Sequence, residues 1–452
     1  MKITIIGTGY VGLTTGLALA YLKHRVVGVD KDLDKISLLR QGISPIHETG
    51  IQALLDQTTE SVCFTDDLTG AVADSDVIMI AVGTPPKQDG EADTRHVEAA
   101  AREVAFGLMP DREYVIAIKS TVPIGTNRRI SHLVHSVLYE RQVSADVYFV
   151  SNPEFLQEGL ALRGTFYPDR VVVGTDRPEA VDAMRRLHEP ILRRTFVPPS
   201  FLAAPDDENL PPLIATDATN AEMIKYAANT FLALKISFIN EIAGLCERVE
   251  ADVTEVARGV GLDSRISHRF LKAGVGWGGS CFPKDTDALL RVASEHGYSM
   301  PIVEAAREVN HRQRTLIIEK LQHVLKILRG RTIGILGLAF KPNTDDVRGS
   351  PALDIIRLLD EQGAYIRAHD PVAISHARQS LEDIEVEFVD DPYAVSEAAD
   401  ALVLVTDWDE YQSLNLNMLA KPMITPFLID GRNIYSPDKA REAGFLYMGI
   451  GR

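Results

Sequence analysis

Residues 1–30 have the sequence MKITIIGTGYVGLTTGLALAYLKHRVVGVD, in which two apolar, strand-like runs flank a glycine-rich turn and a helical stretch. Gly7, Gly9 and Gly12 have the G-x-G-x-x-G spacing of dinucleotide-binding turns. In such turns the first glycine permits a tight bend, the second lets a pyrophosphate approach the backbone, and the third lets the helix pack closely on the strand. The stretch therefore predicts a βαβ unit with an anion site at the start of its helix.

An acidic residue, Asp30, directly follows the second of these strand-like runs. A carboxylate at this position accepts hydrogen bonds from the ribose hydroxyls of an adenosine and repels a 2′-phosphate. Lys35 is near enough in sequence to reach the same ribose. The pattern therefore indicates NAD rather than NADP, whereas a purely structural glycine-rich turn would leave the placement of Asp30 unexplained.

The same N-terminal stretch has a second interpretation, because residues 3–22 carry no charge and follow Lys2. An uncharged run that ends in small residues resembles a secretory signal peptide. We prefer the βαβ interpretation because it explains every glycine of the run, which a signal peptide does not.

The length, charge and cysteine content limit the classes of function. A chain of 452 residues predicts about two or three domains, and a net charge of −16 argues against a general nucleic-acid or membrane-surface binder. The three cysteines, Cys63, Cys246 and Cys281, offer neither a disulfide framework nor metal-ligand spacing, so we expect no metal site and a reducing cytoplasm. We interpret Cys63 and Cys246 as buried, inert thiols.

Alternating strand-like and helical segments predict an α/β fold with two doubly wound Rossmann-like domains joined by a long central helix. The first series of strands closes with Val171–Gly174, and the proline-containing residues 201–216 form a connection. Thr219 and Glu222 have the spacing of a capping box at the start of the long helix. Because this helix is apolar on more than one face, we expect it to be buried between domains or between subunits.

The run GWGGSCFPKD, residues 276–285, surrounds Cys281 with glycines that free the backbone to wrap a ligand. Pro283 and Asp285 suit the first turn of a helix, which places Cys281 just before a helix N-terminus with Lys284 nearby. Both neighbours favour a thiolate, so we predict a nucleophilic cysteine. The alternative, an inert core cysteine, does not require so many glycines around one thiol.

Two further pairs of polar residues are candidates for a site. Lys225 and Asn229 are spaced i, i+4 on one face of the long helix, where they face something polar, or else the lysine snorkels and the asparagine bridges to backbone. Glu154 and Glu158 follow a predicted strand end, where doubly wound sheets bind ligands. They are candidates for a general base or for positioning water, and the alternative is an ordinary loop with solvated acids.

Together these motifs resemble the UDP-glucose 6-dehydrogenase family, within the wider UDP-glucose/GDP-mannose dehydrogenases. The matching runs cover nearly the whole chain: GTGYVG at 7–12, KSTVP at 119–123, NPEFLQEG at 152–159, PDR at 168–170, GGSCFPKD at 278–285, GLAFKPNTDD at 337–346 and DGRN at 430–433. The resemblance implies a four-electron, NAD-dependent oxidation of UDP-glucose to UDP-glucuronate with two NADH per turnover. Three alternatives stay open: the same chemistry on GDP-mannose or a UDP-N-acetylhexosamine, a single-step dehydrogenase, and a non-catalytic nucleotide-sugar sensor.

The resemblance implies a role for each matching residue. The catalytic residues it implies are Cys281, Lys225, Asn229, Asp285, Glu154 and Thr121. The cysteine would form a thiohemiacetal and a thioester, and the lysine with the asparagine would stabilise the developing oxyanion. The aspartate would assist the thiol or the hydrolytic water, while the glutamate and the threonine would position water and substrate.

The resemblance also implies two sets of binding residues. Those expected to contact NAD are Gly7, Gly9, Val11, Gly12, Asp30, Lys35, Thr84, Thr121, Glu158, Lys284 and Arg348. Those expected to contact the nucleotide sugar are Glu154, Phe155, Leu156, Glu158, Lys225, Asn229, Arg265, Phe270, Leu271, Lys272, Gly274, Gly278, Lys341 and Arg432. Lys341 and Arg432 would meet the uridine diphosphate.

The implied organisation has three parts and a partner. They are an NAD-binding Rossmann domain over residues 1–200, a helical dimerisation region over 217–300 that carries catalytic residues, and a UDP-sugar-binding α/β domain over 325–452. A homodimer is implied, with Arg265 reaching across an interface built on the long helix.

Three features depart from the pattern of the family. Gly349 stands after Arg348 where the family usually has a glutamate, and Ser267 replaces a usual glycine. The segment Leu160–Tyr167 lacks an acidic residue that we expect before the Pro-Asp-Arg run. None of these positions is among the residues expected to carry the chemistry.

Overall fold

The computed structural model describes residues 1–87, 90–205 and 209–452. The chain divides into two units, Met1–Ala227 and Ala228–Arg452, and each is built around its own sheet. Among the described residues, no helix has the length and apolar character needed to cross a membrane.

The first unit contains an eight-stranded sheet in the order β3-β2-β1-β4-β5-β6-β7-β8. Its strands are β1 Lys2–Ile6, β2 Arg25–Val29, β3 Val62–Thr65, β4 Val77–Ile80, β5 Glu113–Ile118, β6 Asp146–Ser151, β7 Val171–Gly174 and β8 Leu213–Thr216. Its helices are α1 Tyr10–Tyr21, α2 Leu33–Arg40, α3 Ile51–Thr58, α4 Leu68–Val72, α5 Arg95–Gly107, α6 Thr126–Glu140, α7 Ala161–Phe166 and α8 Pro178–Leu192. The first six strands are parallel, and β7 with β8 runs in the opposite direction.

The N-terminal strand, turn and helix confirm the βαβ interpretation of residues 1–30. β1 pairs in parallel with β2 on one side and with β4 on the other, which makes it a central strand. Helix α1 buries nine of its 12 residues, from Gly12 to Ala20. This burial on all sides explains why the stretch is uncharged, because a helix enclosed by its own domain needs no polar face.

One predicted connection in this unit is partly wrong. Residues 206–208 of the 201–216 connection lie outside the described residues, but Leu213–Thr216 at its end forms the edge strand β8. The strand is only four residues long and has no fully buried side chain, and so short an apolar run behind several prolines is not distinguished from a loop by its pattern. The first series of strands therefore closes with β8 and not with Val171–Gly174.

The long helix, α9, extends over Ala218–Val249, and the boundary between the two units falls within it. The predicted capping box is wrong, because Thr219 lies inside the helix and the Asp217 carboxylate accepts from Asn220 N at 2.8 Å. The carboxylate of Glu222 instead accepts from Gly125 N at 2.6 Å and Asn127 N at 2.9 Å, at the start of α6. Gly125 has no side chain with which to cap α6, so Glu222 supplies the acceptor from another helix.

The second unit contains a six-stranded parallel sheet in the order β11-β10-β9-β12-β13-β14. Its strands are β9 Thr332–Leu336, β10 Tyr365–His369, β11 Val386–Phe388, β12 Ala401–Leu404, β13 Phe427–Asp430 and β14 Leu446–Met448. Its helices are α10 Val253–Gly261, α11 Phe282–Glu295, α12 Pro301–Leu325, α13 Pro351–Glu361, α14 Ile374–Ser380, α15 Asp409–Gln412, α16 Leu416–Ala420 and α17 Pro437–Glu442. This order equals that of the first six strands of the other sheet, so the prediction of two Rossmann-like domains and a long central helix is confirmed.

In both sheets, the same backbone hydrogen bonds hold the turn that follows the first strand. Gly7 N donates to the last residue of β2 at 2.7 Å, and Gly337 N donates to the last residue of β10 at 2.9 Å. The next backbone N–H donates at 2.7 Å to Asp30 in one unit and to Asp370 in the other. In the second unit Asp370 also accepts from Ala339 N at 3.0 Å, so this carboxylate satisfies two successive donors of the turn.

Candidate active site

The glycine-rich turn of the first unit has the shape that a pyrophosphate requires. A Cβ on Gly7, whose φ is 94°, would lie 2.7 Å from Ala81 O, and a Cβ on Gly12 would lie 1.8 Å from Gly7 O. In the part of the chain that the structure describes, no heavy atom would lie within 4 Å of a Cβ on Gly9. Two glycines are thus required by the fold, while the third leaves open space beside the start of α1, where Val11 lies in the first turn. NAD fits this arrangement.

The Asp30 carboxylate is prepared as a hydrogen-bond acceptor. Its Oδ2 accepts from Thr8 N at 2.7 Å and Thr8 Oγ1 at 2.8 Å, and its Oδ1 accepts from Asp32 N at 3.1 Å. Burial opposes the charge, but these hydrogen bonds hold the pKa of Asp30 below its usual value. The carboxylate is therefore ionised at neutral pH. Lys35 lies one turn into α2, with its Nζ 3.6 Å from the Asp32 carboxylate.

Thr84 and Thr121 follow the ends of two neighbouring parallel strands, β4 and β5. Thr84 Oγ1 donates to Thr121 O at 2.8 Å, which joins the two loops. A small cavity lies beside them, lined by Ile118, Ser120, Thr121, Val122, Ser151, Pro153, Glu222 and Lys225. The structure thus brings Thr121 and Lys225, predicted from distant parts of the sequence, to one cavity.

A buried cluster of charges occupies the end of β6. Glu154 Oε1 is 3.0 Å from Lys225 Nζ, Glu154 Oε2 accepts from Leu156 N at 2.5 Å, and the two side chains are only 9% and 4% exposed. Burial opposes the charge of Glu154, yet Lys225 holds its pKa below the usual value. Lys119 completes the cluster: its Nζ donates to Asn152 Oδ1 at 3.4 Å, and burial lowers its pKa to about 8. We did not predict Lys119, although it opens the KSTVP run.

Phe155 lies between two cations. The Arg170 guanidinium is 3.8 Å from the centroid of its ring, and Lys225 Nζ is 5.4 Å from it. Burial lowers the pKa of Arg170. Cation–π contact therefore fixes the ring directly beside the Lys225 ammonium.

The segment that contains Glu158 is held by a residue that sequence reasoning missed. Gly159 N and Ala161 N donate to the carboxylate of Glu48, at 2.7 Å and 2.8 Å. The Glu48 side chain is buried, and it lies just before α3, far away in sequence. No periodic pattern marks a single acidic residue in a loop, so the sequence offered no signal for it.

Cys281 is the N-cap residue of α11, as predicted, and its side chain is partly exposed. Its carbonyl oxygen accepts from Asp285 N at 2.8 Å, and its Sγ lies 3.6 Å from Ser280 Oγ. Its side chain makes no capping hydrogen bond to α11, but its position at the positive end of the helix dipole favours a thiolate.

Asp285 links Asn229 to the helix that begins after Cys281. Asn229 Nδ2 donates to Asp285 Oδ2 at 2.6 Å, and Lys284 Nζ donates to Asp285 Oδ1 at 2.5 Å. The Asp285 side chain is fully buried. The alternative in which Asn229 bridges to backbone and Lys225 snorkels is wrong, because each side chain binds a buried carboxylate.

The other two cysteines differ from each other. Cys246 is buried in α9, as predicted. The prediction of a buried Cys63 is wrong, because this residue lies on β3, the edge strand of the first sheet, and its side chain is exposed.

The glycines before Cys281 are required by close backbone contacts. A Cβ on Gly274 would lie 2.6 Å from Gly431 O, and a Cβ on Gly278 would lie 2.1 Å from Gly349 O. The segment therefore passes directly against the loops that follow β9 and β13. Gly349 itself has a φ of 59°, a conformation that glycine adopts without strain.

Residues 265–272 contain four of the predicted binding residues. Arg265 is exposed and makes a two-point ion pair with Asp263, at 3.0 Å and 2.6 Å. Phe270 has a φ of 64° and Lys272 is exposed, whereas the side chain of Leu271 belongs to the hydrophobic core. Leu271 could therefore contact a ligand through its backbone but not through its side chain.

Ser267, in the same segment, has a φ of 67°. The glycine that is usual there adopts this left-handed conformation without steric cost. A serine at this φ carries strain of the order of 1 kcal/mol.

Three basic residues of the second unit were predicted as ligand contacts. Arg432 Nε donates to Val405 O at 2.6 Å, and burial lowers the pKa of Arg432. Arg348 Nη2 is 2.6 Å from the carboxylate of Asp346, and Lys341 Nζ lies 5.1 Å from the centroid of the Phe340 ring.

Three domain models of one family match the chain. They are those of the UDP-glucose/GDP-mannose dehydrogenase family: its NAD binding domain over residues 1–192, its central domain over 219–312 and its UDP binding domain over 334–437. Together they cover well over half of the sequence.

Relatives match over the full length. The chain is 46% identical to the UDP-glucose 6-dehydrogenase TuaD of Bacillus subtilis, covering 100% of this chain and 93% of the relative. A UDP-glucose dehydrogenase structure from Pyrobaculum islandicum is 38% identical with a TM-score of 0.87, covering 99% of this chain and 97% of that one. A UDP-D-ManNAc dehydrogenase structure from Pyrococcus horikoshii is 28% identical with a TM-score of 0.84, covering 100% and 99%.

Proposed function

Since the chain belongs to the UDP-glucose/GDP-mannose dehydrogenase family, we propose that it oxidises UDP-glucose to UDP-glucuronate through a covalent adduct on Cys281. One observation carries this proposal: Asn229 binds Asp285 in the first turn of the helix that Cys281 caps. A thiol at a helix N-terminus, with a buried carboxylate that accepts two hydrogen bonds in the first turn of the same helix, is an arrangement for nucleophilic catalysis. An inert core cysteine would need none of it.

NAD, when bound, accepts the hydride in each of the two oxidations. Between them, the Cys281 thiolate attacks the aldehyde carbon, a C–S bond forms as the C=O π bond breaks, and the carbonyl oxygen takes up a proton to replace the one that the thiol released. The second oxidation turns this thiohemiacetal into a thioester. Water then attacks the thioester carbon, the C–S bond breaks, and the products are the sugar carboxylate and the free thiol.

Three residues of the first unit, of which Thr121 and Lys225 line the small cavity, have two tasks in this scheme. The Lys225 ammonium stabilises negative charge on the oxygen of the reacting carbon, because a buried, fixed cation acts strongly where water is excluded. Thr121 and Glu154 hold the water that hydrolyses the thioester. Asp285, fixed by Asn229, accepts the proton that this water loses.

The family supports a nucleotide sugar as the substrate class. The names of its more similar members support the choice of sugar. A UDP binding domain model covers residues 334–437, where Lys341 and Arg432 supply cationic groups for a diphosphate. The relative with the higher identity acts on UDP-glucose by its name, which favours UDP-glucose over a UDP-N-acetylhexosamine or GDP-mannose. We place the reaction in the cytoplasm, where reducing conditions keep Cys281 a thiol.

We expect two NADH for each UDP-glucose consumed, and an acid as the product. The test incubates the protein with limiting UDP-glucose and excess NAD, records absorbance at 340 nm to completion and identifies the sugar product by mass. UDP-N-acetylglucosamine and GDP-mannose serve as comparison substrates. One NADH per sugar with a released aldehyde or ketone would show a single-step dehydrogenase and refute the thioester scheme.

We also propose a homodimer held by α9. Phe231, Phe238 and Leu245 are spaced seven residues apart on this helix, and their side chains are 63%, 52% and 55% exposed. A stripe of large apolar side chains on one helix face is typical of an interface between subunits. Arg265, exposed and able to exchange Asp263 for another anion, would then reach the nucleotide sugar of the partner subunit.

Phe238→Asp is expected to convert the dimer into monomers, because a carboxylate in an apolar interface loses its hydration. Sedimentation velocity at micromolar concentration measures this, together with turnover at the same concentration. Phe106→Asp is the matched control, since Phe106 is an equally exposed phenylalanine on α5. A fully active monomer of the unsubstituted protein would exclude both the interface and the role of Arg265.

A further inference from the structure

One side chain of α12 hydrogen-bonds to both backbone groups of Trp277, which lies four residues before Cys281. Asn310 Oδ1 accepts from Trp277 N at 2.7 Å, and Asn310 Nδ2 donates to Trp277 O at 3.0 Å. The Asn310 side chain is 4% exposed. Arg314, one turn later, donates to the same carbonyl oxygen from Nη2 at 3.2 Å. The amide group of Asn310 thus binds the loop as a neighbouring strand would, through both backbone groups of one residue.

The residue type at this position is strictly limited. The side-chain amide of Asn310 uses both its oxygen as acceptor and its nitrogen as donor. An aspartate keeps the acceptor but loses the donor, and a leucine loses both. Gly276 has a φ of 95°, and a Cβ there would lie 2.4 Å from Asn310 Oδ1. The glycine before the tryptophan is therefore what allows the asparagine to approach the backbone.

The indole of Trp277 is anchored as well. Its Nε1 donates to Ser237 Oγ at 2.9 Å, and Ser237 Oγ donates to Ala306 O at 2.6 Å. Trp277 is thus fixed through its backbone and its ring, and the next residues, packed against Gly349 O, lead directly to Cys281.

We propose that Asn310 is a positioning residue for the Cys281 thiol, acting by holding the backbone of Trp277. The proposal rests on the proposed role of Cys281 as the nucleophile. The side-chain hydrogen bonds of Asn310 that the described residues show go to the backbone of Trp277, so it acts through the loop. Loss of its donor leaves Trp277 O with the Arg314 guanidinium, and in an aspartate variant a carboxylate oxygen faces this carbonyl oxygen and repels it. The loop then shifts, and Sγ leaves the position it takes at the start of α11.

The test compares Asn310→Asp with the unsubstituted protein in the rate at which iodoacetamide alkylates Cys281. This rate does not depend on turnover of the substrate. The Cys63→Ser background removes the exposed thiol, and Cys246 is buried. We expect the alkylation rate of Cys281 to change by ~10-fold, and kcat to fall by ~10²-fold with little change in the KM for NAD, since a displacement of about 1 Å has effects of this size. Urea unfolding shows that the variant is folded at the assay temperature.

A matched control is available in the same unit. Asn433 binds both backbone groups of Ile450 in the same way: its Oδ1 accepts from Ile450 N at 3.0 Å and its Nδ2 donates to Ile450 O at 2.8 Å. Asn433→Asp removes the same donor from a different loop, and we expect it to leave the alkylation rate of Cys281 unchanged. An equal change in both variants would indicate general loosening and overturn the proposal.

A second variant keeps the proposal testable if Asn310→Asp does not fold. Ser237→Ala removes the acceptor of the Trp277 indole and should change the alkylation rate in the same direction by a smaller factor. A folded Asn310→Asp, or in its absence a Ser237→Ala, with the parent rate would contradict the proposal. Full turnover by Cys281→Ser would instead refute the proposed function, and the alkylation rates would still decide the role of Asn310.

Discussion

Cys281→Ser is expected to lower steady-state turnover of UDP-glucose by about 10⁴-fold, less than the loss of about 10⁶-fold on outright removal of a catalytic nucleophile, because serine keeps a weak nucleophile in place. A serine hydroxyl is a much weaker nucleophile than a thiolate, and its ester is a poorer acyl donor than a thioester. Cys281 is the N-cap residue of α11, where the positive end of the helix dipole favours a thiolate, and this benefit does not extend to an alcohol. The first oxidation does not need the sulfur, so a slow release of aldehyde is expected in place of acid.

The measurement is a single turnover with enzyme in excess over UDP-glucose, in which NADH and the sugar product are both quantified. We expect at most one NADH per sugar from Cys281→Ser and two from the unsubstituted protein. Cys63→Ser is the control, because it makes the same replacement on the exposed edge strand β3. Turnover by Cys281→Ser at the parent rate would show that Cys281 is structural.

The parts of the fold that the sequence predicts well are those in which a local pattern has a single physical cause. The glycines at 7, 9 and 12 fall between two apolar runs, and each spacing has its own steric reason, so strand, turn and helix follow together. The strand β8 could not be predicted in this way. Its four residues lie at a sheet edge with no buried side chain, and only the neighbouring β7 makes them a strand.

The misinterpreted capping box shows a different limit. Glu222 has the right residue type and spacing for a local cap, but its carboxylate binds Gly125 N and Asn127 N, which lie nearly 100 residues earlier. The backbone donors at the start of α6 need an acceptor that Gly125 does not supply. Sequence spacing alone does not show which of two unsatisfied helix ends a carboxylate serves.

For the candidate site, the residues named from motifs do lie in buried polar contacts, but their supports were missed. Glu48, Lys119 and Asn310 each bind a loop that carries a predicted residue, and the residue type and spacing of these three show nothing of their partners. Their partners are backbone groups or side chains far away in the chain. Such contacts are a property of the folded structure, since they exist only after the sheet brings strand ends together.

The duplicated turns give one more contrast. The carboxylate after β10, that of Asp370, satisfies the donors of Leu338 and Ala339, whereas Asp30 accepts from Thr8 alone among the backbone donors of its turn that the described residues show. Because Asp370 already accepts from two backbone N–H groups of the second turn, fewer donors of that turn remain for a bound anion. This difference, more than the glycine count, favours the first turn as the dinucleotide site.

The second large effect is expected from Lys225→Met, on both turnover and stability. Loss of the buried ammonium should lower kcat by about 10²–10³-fold if it stabilises the oxyanion. The same change leaves Glu154 buried without its partner at 3.0 Å, which should cost about 3 kcal/mol in the free energy of unfolding at neutral pH. Lys119 stays in the cluster and moderates this loss.

The pH dependence of the stability loss has a definite sign. With Lys225 present, the pKa of Glu154 is lowered from its usual 4.5, so this group stabilises the fold above that pH and the contribution is lost as pH falls through the folded pKa. In Lys225→Met, burial dominates and raises the pKa of Glu154 above 4.5, so falling pH relieves the buried charge. The stability difference between variant and parent is therefore expected to be larger at pH 8 than at pH 5.

Urea unfolding at pH 5, 6.5 and 8 measures this difference, alongside kcat at each pH. Lys225→Met combined with Glu154→Gln should recover most of the stability but none of the turnover, which separates the two roles of the lysine. Lys320→Met is the matched control, since Lys320 binds Glu247 at 2.7 Å in a less buried ion pair elsewhere, and it should leave kcat unchanged. A kcat of Lys225→Met within tenfold of the parent would exclude the oxyanion role. A stability difference that grows towards low pH would contradict the pairing of Lys225 with an ionised Glu154.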